Sequence, residues 1–149
     1  MENKELYQRA NTYRQTYFKH DPLTTNRSLL AYIFLGLITL GIYDYYVLYT
    51  ISRDLNIACS GDGKETPGMV EFIVFGLLTC GIYQLYWYYS VGNRLAANAP
   101  RYGLQFPENG TTVLLWVLFG AFLCGIGSFI GIDILLKNTN AICDAYNRQ

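Results

Sequence analysis

The sequence predicts an all-α integral membrane protein. It reads as three tandem units, each a hydrophobic helix, a glycine break and a second helix, behind an N-terminal amphipathic helix. Three observations predict this. The phrase Thr39-Leu40-Gly41-Ile42-Tyr43-Asp44-Tyr45-Tyr46 returns as Thr79-Cys80-Gly81-Ile82-Tyr83-Gln84-Leu85-Tyr86, and a shorter echo follows at Leu123-Cys124-Gly125-Ile126-Gly127. Each motif glycine has a companion five residues upstream, at Gly36, Gly76 and Gly120. Charges avoid three windows, 28–43, 72–93 and 109–132, in a chain that is 52% hydrophobic, 16% aromatic and 15% charged. Windows of about 18 or more nearly charge-free apolar residues are candidates for crossing a bilayer. A soluble bundle is the weaker alternative, because buried core helices run nearer to about 10–14 apolar residues.

Residues 1–26 form the first segment. Leu6, Ala10, Tyr13 and Tyr17 recur at helical spacing, which predicts an amphipathic helix over residues 3–19 with Arg9 and Arg14 off the apolar stripe. Asp21-Pro22 ends it, since proline cannot continue a helix interior. Such a helix lies on a bilayer surface, docks on a partner or covers its own bundle. This segment and Arg27 hold five of the eleven cations, Lys4, Arg9, Arg14, Lys19 and Arg27, with no early apolar signal stretch. That places the N-terminus in the cytoplasm and the chain in the cell (inner) membrane as a multi-pass protein.

The membrane domain, 27–149, holds the repeats at 27–59, 67–97 and 111–146. The linkers between them are dense in turn residues. Thr66-Pro67 reads as the cap and first turn of unit two, and Thr111 or Thr112 as the cap of unit three. Within a unit, aliphatic residues precede the motif glycine. In units one and two aromatics follow it, Tyr43, Tyr45, Tyr46 and Tyr49, then Tyr83, Tyr86, Trp87, Tyr88 and Tyr89. Tyr and Trp favour the membrane–water interface, which predicts a deep aliphatic half and an aromatic half near the headgroups. Arg53, Arg94 and Lys137 close the units as snorkelling or helix-capping cations.

Two topologies satisfy this pattern. In the preferred one each unit is a single kinked crossing. In the other the glycine is a true stop, the aliphatic helix is too short to cross alone, and three like-oriented units return to one side. A kink or break at the glycine is common to both.

The pattern offers little chemistry. No C-x-x-C pair exists, and the four cysteines share two repeat positions (Cys80 with Cys124, Cys59 with Cys143), which makes them small apolar fillers. A bridge between Cys59 and Cys143 is the alternative. Gly61-Asp62-Gly63-Lys64-Glu65 lacks the pattern of a phosphate loop, and His20 has no triad companions. No catalytic residue, cofactor or metal is expected, and zero net charge argues against nucleic acid as a partner. Asp44, Glu71 and Asp133 are candidate ion-path carboxylates. Their blander roles are an interfacial acid, an acid at a helix start and an ion pair with Lys137. Gly120, Gly127 and Gly131 supply a small-residue face for close helix packing, within the monomer or between copies.

The motif at Gly81, Ile82, Tyr83, Tyr86, Trp87 and Tyr89, matched in unit one by Gly41, Ile42, Tyr43, Tyr46 and Tyr49, resembles the bacterial membrane family catalogued as domain of unknown function 4234. The resemblance covers about residues 27–98, and unit three keeps Gly125-Ile126. It implies a bacterial membrane location and lends no catalytic residue. The expected function is a small structural or interaction module in contact with membrane lipid, self-associating and presenting its N-terminal helix to a cytosolic protein. The alternative is an oligomeric ion channel or small transporter.

Overall fold

The computed structural model describes residues 2–18 and 22–149. Lys19, His20 and Asp21 lie outside the described residues, as do the side chains of Arg14 and Tyr17. Among the described residues all regular structure is helical: α1 (Glu2–Phe18), α2 (Leu29–Ile38), α3 (Ile42–Ala58), α4 (Met69–Leu78), α5 (Ile82–Asn98), α6 (Gly110–Phe122) and α7 (Ile126–Asn147), with 3₁₀ turns at Ser60–Asp62 and Ala99–Tyr102.

Each repeat is a helical hairpin. A short arm (α2, α4, α6) runs to the motif glycine, the chain reverses, and a long arm (α3, α5, α7) returns beside it. Gly41, Gly81 and Gly125 have φ of 90°, 91° and 82°, a left-handed conformation that glycine adopts without the Cβ penalty. The glycine is therefore a stop between two helices and not a kink within one. No helix among the described residues is long and apolar enough to cross a membrane.

Two of the expected caps also move. Thr66 is held by α3 and α5, and α4 begins at Met69 behind Gly68. α6 begins at Gly110, where Asn109 Oδ1 accepts from the N–H groups of Thr111 and Thr112 at 2.9 and 3.2 Å. A side-chain oxygen at that position reaches both free donors, which Thr111 and Thr112, already inside the first turn, cannot do.

The core sits where the long arms converge, far from the turns. Counting from each motif glycine, positions 10, 14 and 18 are almost fully buried in all three units: Ile51, Val91 and Leu135; Leu55, Leu95 and Thr139; Cys59, Ala99 and Cys143. A four-residue spacing keeps these positions on one helix face, so three equivalent stripes meet in three layers. Cys59 and Cys143 are free, and burial pushes their thiols up to about 11 and about 12. They fill space as the repeat predicts, without the bridge.

The units are tied in a ring. Each long arm grips the segment that leads into the next short arm. From α3, the Asn56 amide donates to Thr66 O at 2.9 Å and accepts from Thr66 N at 2.7 Å. From α5, Asn93 Oδ1 accepts from Gly110 N at 3.0 Å. From α7, Asn140 donates to Arg27 O at 2.8 Å, and Asn147 pairs with both backbone groups of Leu23 at 2.9 Å. Unit three thus holds the start of unit one.

Two buried ion pairs complete this polar base. Asp54 is fully buried and accepts from Arg27, from Arg53 Nε at 2.8 Å and from Thr24 N at 3.0 Å. Thirteen residues after the next motif glycine, Arg94 takes the equivalent place with the opposite charge. It donates to Asp62 at 2.8 Å, to Asn56 at 2.6 Å and to Thr66 at 2.8 Å. Burial alone would raise the Asp62 carboxyl, but hydrogen bonds from Arg94, Lys64 N–H and Asn98 hold it below its ordinary value. Of the two roles expected for Arg94, outward snorkelling is thereby corrected, while helix capping has a counterpart: its Nη2 donates to Cys59 O, the C-cap of α3, at 3.5 Å. Lys137 instead forms an exposed pair with Asp133, a geometry that contributes less than about 1 kcal/mol. Arg94→Met should lower unfolding free energy by about 3 kcal/mol, the low end of the range for removing one partner of a buried pair because Asp62 regains water. Denaturant titration followed by circular dichroism measures it, with Lys137→Met as the near-neutral control.

Candidate functional site

The segment with unusual chemistry is the end of the molecule formed by the three hairpin turns. Its surface is apolar. Leu40 is 92% exposed, Leu77 81% and Phe122 82%, and Ile38, Ile42, Leu78, Ile82 and Ile126 join them in the open. Apolar exposure on this scale marks an interaction surface, whether for a protein, a ligand or a membrane. The short arms are also the length class in question: helices of about 10–14 apolar residues are buried core elements or re-entrant and interfacial segments. α2 and α4 each bury two of their ten residues, and of these Tyr32 and Phe72 join the core.

The turn backbone satisfies itself. Thr39 N donates to Leu35 O, Leu40 N to Leu37 O, Gly41 N to Gly36 O, Ile42 N to Thr39 O and Asp44 N to Gly41 O. Tyr43 N, the remaining donor, goes to Thr39 Oγ1 at 2.9 Å while that hydroxyl donates to Leu35 O at 2.6 Å. Unit two repeats the arrangement through Thr79, Phe75 and Tyr83 at the same distances. Unit three has Leu123 in the threonine place and keeps the Gly125 N to Gly120 O bond at 2.9 Å. In units one and two the turn thus leaves no N–H unmet.

The residue before each motif glycine is the least expected. Leu40, Cys80 and Cys124 have φ of 52°, 52° and 53°. A left-handed non-glycine residue costs about 1–2 kcal/mol, and turns in water place Gly, Asn or Asp there. Here the same strained position carries an exposed apolar or thiol side chain three times.

Other motif residues take different places from those expected. The two halves of each unit lie side by side, so Tyr43 and Tyr83 stand in the first turn of the long arm, at the tip. The aromatics run along the arm and do not collect at one depth, which corrects the aliphatic-deep, aromatic-shallow reading. Tyr46 and Tyr86 are exposed, whereas Trp87 is 1% exposed and donates from Nε1 to Pro67 O at 2.9 Å, with Phe72 edge-on at 5.2 Å. Trp87 is a core residue.

Gly120 and Gly127 face each other across hairpin three, where a Cβ on Gly127 would lie 2.6 Å from Gly120 Cα, and Gly131 packs on Val117. This glycine face is occupied inside unit three. Of the three carboxylates, Asp44 packs on Gly36 with Oδ1 buried and without a hydrogen-bond partner. Glu71 is exposed in the first turn of α4, and Asp133 pairs with Lys137. The three belong to separate units and are not joined by any hydrogen bond. Among the described residues no cluster of His, Cys, Asp and Glu is able to hold a metal ion.

Sequence reasoning missed Asp54, Arg27 and the asparagines of the base. The readable signal was the equivalence of Asp54 and Arg94 in the repeat. On α1, Leu6 and Tyr13 of the predicted stripe are exposed, so the helix does not bury that face on its own bundle.

The family described as Domain of unknown function (DUF4234) matches residues 27–97 and again 71–133, so the second match carries the likeness into unit three. No curated protein and no solved structure matches the chain. Replacing a strained tip residue by one suited to the left-handed region tests the turn directly. Leu40→Asn should raise the stability of detergent-solubilised protein by about 1 kcal/mol, read as a higher unfolding midpoint.

Proposed function

Given that the chain belongs to the family described as Domain of unknown function (DUF4234), we propose that it is a membrane-embedded structural module whose three hairpins enter one leaflet of the cell membrane from the cytoplasmic side. One observation carries the reading: strained left-handed turn positions bear exposed apolar side chains in place of the polar residues that water would favour. The dimensions support it. Ten residues of α2 rise about 15 Å, half of a hydrocarbon core of about 30 Å. A single-leaflet insertion has no need of a helix long enough to cross.

The charge layout supports the same orientation. Lys64, Arg101, Lys137 and Arg148 all lie in linkers or in the distal halves of the long arms, away from the tips. Cations near a membrane segment favour the cytoplasmic side. α1 joins the same end through the segment 22–28 and offers its exposed Leu6 and Tyr13 to the bilayer surface or to a cytosolic partner. Self-association loses its sequence argument, because the glycine face is already covered.

The native thiols report on this arrangement. Cys80 and Cys124 sit exposed at two tips. In intact membranes both should resist a membrane-impermeant maleimide applied from either side, and both should react after detergent is added. Single cysteines at the base, Lys64→Cys and Gln105→Cys, should label from the cytoplasmic side alone. Labelling of Cys80 or Cys124 from the far side would restore full crossings and sink the single-leaflet reading.

The channel reading keeps one supporting observation, the unpartnered Oδ1 of Asp44. If that carboxylate carries ions, Asp44→Asn should abolish cation or proton flux in reconstituted vesicles. Equal flux in the two proteins removes the reading.

A further inference from the structure

One cavity lies on the seam between units one and three, beside the first hairpin turn. Its volume is ≈360 Å³, within the range of small-molecule sites. Tyr32, Ile33, Gly36 and Leu37 of α2, Asp44 of α3 and Phe129 of α7 line it. Its side-chain walls are apolar apart from the Asp44 carboxylate and the Tyr32 phenol. That carboxylate has no partner: Oδ1 is buried without a hydrogen bond, and among the described residues no cation pairs with either oxygen. The titratable groups beside it, Tyr32 and Tyr88, are phenols that carry no charge at neutral pH. The hairpin itself does not need the charge. Three residues after the other motif glycines stand Gln84 and Ser128, both neutral. Gln84 packs on Gly76 as Asp44 packs on Gly36, and Ser128 donates to Val117 O at 3.2 Å. A carboxylate without a partner among apolar walls is costly, and its presence in one unit alone calls for an occupant that relieves it.

We propose that this cavity binds an amphiphilic organic cation, a primary ammonium on an aryl or alkyl body, with the ammonium on Asp44 and the body against Ile33, Leu37 and Phe129. The negative charge selects a cation. A bare metal ion fits poorly, because it needs several ligating side chains and no such cluster stands among the described residues. An ammonium brings its own donors and meets the carboxylate in a charge-assisted hydrogen bond. The rings of Tyr32 and Phe129 favour the same group, since aromatic faces attract ammonium ions. The aliphatic wall takes the body, whose burial adds hydrophobic stabilisation. Gly36 makes the arrangement possible: a Cβ at this residue would overlap Asp44 Oδ1, so the glycine leaves the carboxylate its place in the wall. The site follows from the cavity and stands apart from the single-leaflet reading.

The test uses the full chain in detergent, with 2-phenylethylamine as the cation and 2-phenylethanol as a neutral counterpart of the same ring and chain length. Ligand-detected NMR titration reads binding, with protein-free micelles as the blank. Wild type should bind the amine saturably and about tenfold more tightly than the alcohol, the contribution of one charge-assisted hydrogen bond. Asp44→Asn, which is nearly isosteric, should lower amine affinity about tenfold and leave the alcohol unchanged. Asp133→Asn removes the same charge from the surface and should change neither. Phe129→Ala, which takes away one wall, should weaken the amine. Unchanged circular dichroism establishes that each variant folds. The assignment is overturned if wild type binds no amine or does not distinguish it from the alcohol. It is equally overturned if Asp44→Asn or Phe129→Ala binds the amine as tightly as wild type, or if Asp133→Asn loses as much as Asp44→Asn. Ion flux and thiol protection are scored on separate preparations, so a protein that embeds without holding the amine fails this inference and leaves the membrane reading intact.

Discussion

In units one and two the chain must reverse within three residues at the end of the short arm while leaving no N–H without an acceptor. The rest of the architecture depends on that constraint. The motif glycine supplies the left-handed turn, and its own N–H closes onto the carbonyl of the glycine five residues earlier. In units one and two the threonine two residues before the motif glycine serves both helices at once, capping the end of one and accepting from the start of the next. With the turn internally satisfied, its side chains are free to be wholly apolar. With the arms side by side, every long arm points the same way and its distal half meets the other two.

Polarity is consequently sorted from end to end, and the two ends hold the fold by different means. At the tips the exposed side chains are apolar. At the base, three layers of equivalent residues are enclosed by asparagines and arginines that clamp backbone groups of the intervening segments. Buried polar groups of this kind stabilise only when each is partnered, and Asp54, with two arginines and a backbone N–H, meets that condition. The opposite charges at equivalent places, Asp54 in one unit and Arg94 in the next, assign a distinct partner to each unit. Asp54 selects Arg27, Arg94 selects Asp62, and near-identical hairpins are thereby kept in order.

Much of this was legible beforehand. The repeat, its glycines, the helical class, the ion pair of Asp133 with Lys137 and the filler role of Cys59 and Cys143 all follow from spacing alone. The reversal did not, for a physical reason. A kinked crossing and a hairpin share one hydrophobic pattern and differ in the backbone angles of Leu40 and Gly41, and a leucine does not announce a left-handed turn. Asp54 was missed and Trp87 misread, for complementary reasons. A lone carboxylate reads as solvated until its partner is found, and Arg27 lies on the far side of an uncharged window. A tryptophan among tyrosines reads as interfacial until Phe72 and the Pro67 carbonyl are seen to enclose it.

The ring has a consequence for the order in which the molecule is made. Leu23 and Arg27 leave the ribosome early, yet the amides that clasp them belong to Asn147 and Asn140. At a translation rate of about 5–20 residues per second, the nascent chain waits roughly 6–25 s between emergence of the first partner and the last. Until α7 emerges the seam of the first two hairpins stays open, and Asn140 and Asn147 are the residues that latch it.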